Sequence, residues 1–331
     1  MGFLNLTFYS KEKRGVILIL TLFLILLISS LVVHHSSLLD VEIGLLDSSK
    51  ERLQALSIAH AGINLALKLL REDVDRECDW LGENWAEPQQ INFSQGKVKV
   101  KIEDEEGKIN PNFLKVRDRK ERRERIEQML ELCDILNIGY TLVPSLIDWI
   151  DEDKEVCVLP FITGENSGAE DEYYSSLEEP YPCKNLPLEL KEEILLVKGM
   201  KKEIWEGKEN RKGFKDLVTV YGRGKVNLNT APEEIIRATL QVYSREFIEE
   251  GLIRQIVEVR KEEPFRRVED LSPYLPPSLI KKLKRSPLIT FSSHYFSILS
   301  EARVGKINLA LEAVVERNEE RFKIKYWKVR G

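Results

Sequence analysis

A chain of 331 residues, 43% hydrophobic and 32% charged, has the make-up of a folded protein with room for one or two cored domains beside a membrane segment. Its 50 basic and 55 acidic residues nearly cancel, so no global field steers it toward nucleic acid. Four cysteines without a CxxC, and four scattered histidines, give no zinc-ligand spacing.

The chain opens with a basic patch (Lys11, Lys13, Arg14), then Gly15, then an apolar run from Val16 to Val33 whose only polar residues are Thr21, Ser29 and Ser30. As a helix that run is about 27 Å long, close to the hydrocarbon thickness of a bilayer. The preceding cations predict a cytoplasmic N-terminus, with everything after His34 outside. A cleaved secretory signal would be shorter and would end in a small-x-small site, which is absent here. More helix follows instead: Leu56, Ala59, Ile63, Ala66, Leu67 and Leu70 recur at three- and four-residue steps, one buried face. A basic-glycine junction, a membrane helix and an amphipathic continuation resemble the N-terminus of type IV pilins and type II secretion pseudopilins. That resemblance implies the inner membrane, a periplasmic body and a prepilin peptidase cut after Gly15, with Lys13 and Arg14 before it and Val16 as the new first residue. Most members carry Glu five residues after the cut; here it is Leu20, a habit of the protein K subunit at the tip.

KVKVKIE, from Lys97 to Glu103, alternates apolar and lysine, a half-buried strand. The C-terminus reads as three antiparallel strands, YFSILSEARV, KINLALEAVVER and ERFKIKYWKV, with a tight turn near Asn318. Ile307, Leu309, Leu311 and Val315 line one face, and Phe322, Ile324 and Tyr326 another. Between the strands lie segments of helical spacing: RDRKERRERIEQMLELCDIL, LPLELKEEILLV, APEEIIRATL, SREFIEEGLIRQIVEVRKE and PPSLIKKLK, with Pro232 at a helix start. Strand, helices, then strands predict an α+β fold: a long N-terminal helix packed on an antiparallel sheet that a large all-helical domain interrupts. The expected boundaries are a leader at 1–15, a transmembrane helix at 16–34, helix and first strands at 35–110, the helical insertion at 111–288 and the last strands at 289–331.

Within the insertion, Asp148, Asp151 and Asp153 form one carboxylate cluster and Glu170, Asp171 and Glu172 a second. Hard oxygen ligands in a flexible loop suit calcium, which takes six to eight of them; a solvated acidic loop is the other reading. The spacing is not that of an EF-hand, since Val156 and Ile162 stand where its glycine and its last glutamate would be. Cys157 and Cys183 flank the loop, as a disulfide or as two buried thiols.

DWIDEDKE, GAEDEYY, PYPCKNLPL with ELKEEILLVKGM, and LVTVYGRGKVNLNTAP resemble, in order, the signature of the type II secretion protein K family. The resemblance implies a pilin-type sheet with a large helical insertion (similar to SAM and helix-hairpin-helix units) that binds calcium. The six carboxylates above are then the candidate ligands. It also implies assembly with the minor pseudopilins I and J in a tip complex, and contacts with other pseudopilins. Cys157 and Cys183 are not part of that signature.

Two other readings compete: a minor pilin of a type IV pilus, and a membrane-anchored periplasmic DNA-binding protein. The second rests on GKVNLNTAPEEIIRATL with IRQIVEVRKEEPFRRVEDL, which looks like a helix-hairpin-helix unit. A phosphate-gripping hairpin needs a Gly-x-Gly turn, and LQVYSREFIEEG has none, so no nucleic acid is expected. Asn227 and Asn229 are expected to cap the next helix and close a turn. No nucleophile elbow, HExxH or phosphate loop is present, so an enzyme is not expected.

Overall fold

A computed structural model describes residues 6–159, 167–208, 211–244, 246–318 and 321–331. One helix, α1 (Leu6–Glu72), runs from before Gly15 through the apolar segment and on into the folded body. Its final turns bury Ala55, Ala59, Ile63, Ala66 and Leu70 against a five-stranded antiparallel sheet. Gly62 lets the helix come close: a Cβ there would meet the side chains of Ser300, Val98 and Val100. The Ser300 hydroxyl donates to the Ala59 carbonyl at 2.8 Å, sealing the contact.

The sheet begins with a hairpin, β1 (Gln89–Phe93) and β2 (Gly96–Asp104). The chain then leaves it. Two long helices come first, α2 (Arg119–Leu136) and α3 (Leu142–Ile150). The Asp118 carboxylate caps α2 by accepting from the Glu121 amide at 2.8 Å, and Asn137 ends it at φ 57°. Two short helices follow, α4 (Asp171–Ser175) and α5 (Lys202–Glu206), then a small hairpin of β3 (Gly207–Lys208) and β4 (Arg211–Lys212). Strand β5 (Val226–Asn227) leads to α6 (Glu233–Gln241), α7 (Glu250–Glu262) and α8 (Pro277–Leu283). Strand β6 (Ile289–Thr290) pairs in parallel with β5 and brings the chain back. The last three strands, β7 (Tyr295–Val304), β8 (Ile307–Arg317) and β9 (Phe322–Arg330), complete the sheet in the order β1-β2-β7-β8-β9.

Three expectations are corrected. LPLELKEEILLV forms a 3-10 turn over Lys191–Leu196, held at its start by the Glu193 carboxylate, which accepts from the Glu189 and Leu190 amides. Strand β9 does not alternate simply, because a bulge shifts its register: Ile324 pairs with Val315 and Tyr326 with Val314. Tyr326 therefore joins the outer sheet face, while Trp327 stacks on His60 of α1 with ring centroids 5.1 Å apart. Asn227 and Asn229 do not cap α6, whose N-terminus follows Pro232 without a side-chain cap.

The two asparagines instead join the insertion to the sheet. Asp104, the last residue of β2, accepts from Ser293 Oγ at 2.5 Å, Thr230 Oγ1 at 2.6 Å and Asn227 Nδ2 at 3.2 Å. Asn227 Nδ2 also reaches the Asp79 carbonyl at 3.0 Å, and its Oδ1 accepts from the Asn229 amide. Asn229 brackets the backbone of Phe265, donating to its carbonyl and accepting from its amide. Beside them Arg317 of β8 donates to both Asp73 and Asp79. Burial pushes Asp104 up to about 6 against its hydrogen bonds, so the joint is demanding as well as stabilising. Asn227→Ala leaves several buried polar groups unpaired and is expected to cost about 1–3 kcal/mol. Urea unfolding checks this; a loss below about 0.5 kcal/mol would show that the joint contributes little.

Candidate metal centre

Helix α3 is apolar on nearly every side and all nine of its residues are buried, so it can only run through the core of the insertion. It delivers Asp148 and, as its C-terminal cap, Asp151 to the mouth of the acidic loop. Glu170 arrives from the other side as the residue preceding α4. The end of one helix, with its carbonyls and partial negative charge, thus faces the start of another across a set of carboxylates.

Asp151, Asp153 and Glu170 each place a carboxylate oxygen within 4.8 Å of the others. Calcium–oxygen distances of 2.3–2.6 Å allow ligands on opposite sides of one ion to stand about 5 Å apart, so the cluster has the right dimensions. Asp151 and Glu170 are buried, yet among the described residues Asp151 Oδ1 and both Glu170 oxygens lack a well-formed hydrogen bond, although the Asp171 amide and the Cys183 thiol lie near enough to Glu170 to favour its ionised form. Among the described residues none of the three carboxylates forms an ion pair. Buried acceptors without donors are costly unless a cation fills the space between them, and the all-oxygen donor set is that of a hard divalent ion.

The other candidates take different parts. Asp148 is fully buried; its Oδ1 accepts from the Cys157 amide at 2.9 Å and its Oδ2 has no partner. Gly168 makes room for it, since a Cβ there would collide with Asp148 Oδ2. Asp171 is occupied otherwise, accepting from the Cys183 amide at 3.0 Å and from Lys154 Nζ at 3.3 Å. Glu172 is exposed on α4. The six carboxylates therefore divide into a clustered three, a buried neighbour and two that stand apart. Sequence reading missed Gly168 and the Cys157 amide, although the glycine of GAEDEYY was a signal of close approach.

Of the two readings of Cys157 and Cys183, this structure has the free thiols and no disulfide between them. Cys183 is buried with its Sγ 3.6 Å from the Asp148 carbonyl, and Cys157 is half-buried. Burial pushes the Cys183 thiol up to about 12 and the Cys157 thiol to about 11, which keeps both protonated. Lys13 and Arg14 lie in the backbone of α1, their side chains outside what is described; Gly15 and Val16 are exposed on the same helix.

The hairpin-like unit keeps its cations engaged. Arg237 and Arg254 pair with Glu250, Arg266 with Asp75 and Arg267 with Asp270, while Arg260 is buried and donates to the Leu228 carbonyl at 2.5 Å. These side chains hold the insertion together.

Electrostatics at the cluster set a pH dependence. Burial, with Glu170 and Asp151 nearby, raises Asp148 to about 7; burial, with Asp153 and Glu170, raises Asp151 to about 6. Both stand above the unfolded value of 3.8, so the folded chain binds more protons than the unfolded one between about pH 4 and 7. Stability from this source is full below that window and is lost as pH rises through it. Without divalent cations, the melting midpoint is expected to drop by a few degrees from pH 5 to pH 7.5, and Asp148→Asn with Asp151→Asn to flatten the drop. An unchanged slope in that double variant would contradict the assignment.

Residues 107–207, which hold α2 to α5 and the cluster, match the family model "Type II secretion system (T2SS), protein K". Among solved structures, a chain of the GspK-GspI-GspJ complex from the enterotoxigenic Escherichia coli type 2 secretion system aligns with a TM-score of 0.65 at 22% identity. The alignment covers 86% of this chain and 98% of that one, and shows a shared fold. No curated protein matches the sequence. The insertion thus resembles type II secretion system protein K in sequence, and the chain as a whole shares the fold of the solved structure.

Proposed function

We propose that this chain is a type II secretion protein K, the tip subunit of a pseudopilus, and that its work is assembly rather than turnover. One observation carries the reading: the insertion stands at the end of the body away from the membrane helix. It leaves the sheet after Asp104 and rejoins it at Tyr295, beside the end of α1, whereas the β7–β8 turn at Gly305 lies against Glu51, further down the helix. A bulky domain on that end blocks the place where a further subunit would stack.

In this account a prepilin peptidase cuts after Gly15 and the apolar segment from Val16 holds the subunit in the inner membrane. The body lies in the periplasm, where it joins partners equivalent to the minor pseudopilins I and J. Leu20, in place of the usual glutamate, suits a tip position. A carboxylate in hydrocarbon is costly unless a neighbour's amine pairs with it, and a subunit with nothing above it has no such need. Support comes from the family match and from the complex in which the structural relative was solved. The same account assigns calcium to Asp151, Asp153 and Glu170, where it satisfies the unpartnered oxygens and fixes the insertion's loop.

Two outcomes are expected. Chelation lowers the melting midpoint by several degrees at pH 7.5, calcium restores it better than magnesium, and Asp151→Asn or Glu170→Gln removes the response. A melting curve indifferent to calcium would refute the metal assignment. Co-expression with the cognate I and J pseudopilins yields a single complex of one copy each by light scattering. A chain that stays alone when they are present would refute the tip reading.

A further inference from the structure

The lower end of the body, nearest the membrane helix, carries a concentration of unpaired positive charge. Lys97 and Lys99 of β2, Arg303 of β7 and Lys306 in the turn are all exposed there, and among the described residues none makes an ion pair. Lys97 and Arg303 are register partners, so their side chains stand together on the outer sheet face. Arg52 of α1 is likewise exposed at this level. The nearby acids are Glu301, opposite Lys99, Glu51, which accepts from the Lys306 amide at 3.4 Å, and Glu42 and Asp47, exposed on α1 below the sheet. Elsewhere some surface cations are paired, as in Arg254–Glu250 and Lys284–Glu269, and others such as Lys201, Lys225 and Lys281 are exposed singly; the rim differs in having its cations side by side.

A second observation concerns α1. Leu38, Val41 and Leu45, exposed by 54%, 62% and 64%, continue toward the membrane the same three- and four-residue steps that bury Ala55, Ala59, Ile63, Ala66 and Leu70 on the sheet. They lie on the sheet side of the helix but below the sheet, with nothing among the described residues packed on them; Leu39, Ile43 and Leu46 are exposed on its other sides.

We propose that in the unassembled subunit α1 leans toward its sheet side until this basic rim rests on anionic phospholipid headgroups. The inference rests on the reading that residues 16–33 span a membrane. Upright, the helix holds the rim about 25 Å above the hydrocarbon, the length of the segment from Val33 to Lys50. That is beyond a headgroup layer about 5–8 Å deep and a Debye length of about 8 Å. The sheet packs about 10 Å to one side of the helix, and a lysine or arginine side chain reaches roughly 6 Å further. A tilt of about 40°, the upper end of the range for membrane helices, then brings the outer rim to about 9 Å, at the headgroups. The same lean lays Leu38, Val41 and Leu45 into the interface, where apolar side chains are stable. Each cation brought to an anionic surface favours the docked state about fivefold. An acidic protein could meet the same charge, but it would leave the bare stripe uncovered. Assembly into a pseudopilus straightens the helix and releases the rim.

The test uses the full chain in nanodiscs of phosphatidylcholine, alone or with about 30% phosphatidylglycerol. A fluorophore on Asn308→Cys, corrected for labelling of the unsubstituted chain, reports energy transfer to a headgroup-labelled acceptor. Transfer is expected to rise at least about twofold with the anionic lipid and to fall back in about 0.5 M salt. It should also fall back in Lys97→Glu/Arg303→Glu/Lys306→Glu, whose melting curve should match the parent because these side chains are exposed and unpaired. Equal transfer in both lipids overturns the proposal. So does a rim that is protected only when partner pseudopilins are added, whatever the lipid. Extraction of the chain by carbonate would instead defeat the membrane reading beneath it.

Discussion

One helix, apolar for most of its length, sets the terms for the rest of the molecule. Along α1 the apolar surface needs three different covers. From Val16 to Val33 every side chain is exposed and free of charge, a length and composition suited to a hydrocarbon phase. From Ala55 to Leu70 one stripe is buried by the sheet, and Gly62 is the point of closest approach. Between these lies a stretch that the subunit cannot cover by itself. A pilin-like body is a half-solution to a packing problem, and the other half is supplied by membrane, partner subunits or both.

The insertion changes what that body can do. It is fixed to the sheet by a few buried groups, chiefly Asp104, Asn227, Ser293 and the Arg317–Asp79 pair, at the end of the body away from the apolar segment of α1. A loosely tethered domain would move aside, whereas one held by a buried polar network keeps its place. The carboxylate cluster extends the same logic into the insertion. Asp151 and Glu170 come from the ends of two helices separated by a loop, and unpaired they repel. The proposed cation between them would convert that repulsion into a clasp.

Much of this was legible in the sequence because it rests on periodicity. The alternation of KVKVKIE and of the C-terminal strands, and the stepping of Leu56 to Leu70, follow from one-sided burial. The short edge strand QQINF was not legible, since five residues paired on one side carry little pattern. Nor was the β9 bulge, a local choice that alternation cannot encode. At the site, sequence proximity gave six equivalent carboxylates. Only the fold distinguishes Asp151 and Glu170, buried and unpartnered, from Asp171, which is occupied by Lys154 and the Cys183 amide. Asn227 and Asn229 show the opposite failure: the local reading as caps was reasonable, and the contacts that decide their role come from residues far away in the chain.

The central claim is that α1 belongs to a pilin-class subunit whose apolar helix begins its mature life at Val16. The most direct measurement is the intact mass of the membrane-extracted chain, expressed with and without a prepilin peptidase. The account predicts loss of residues 1–15 when the peptidase is present and the full mass when it is absent. An uncut chain in both cases would make α1 a plain anchor and contradict the account.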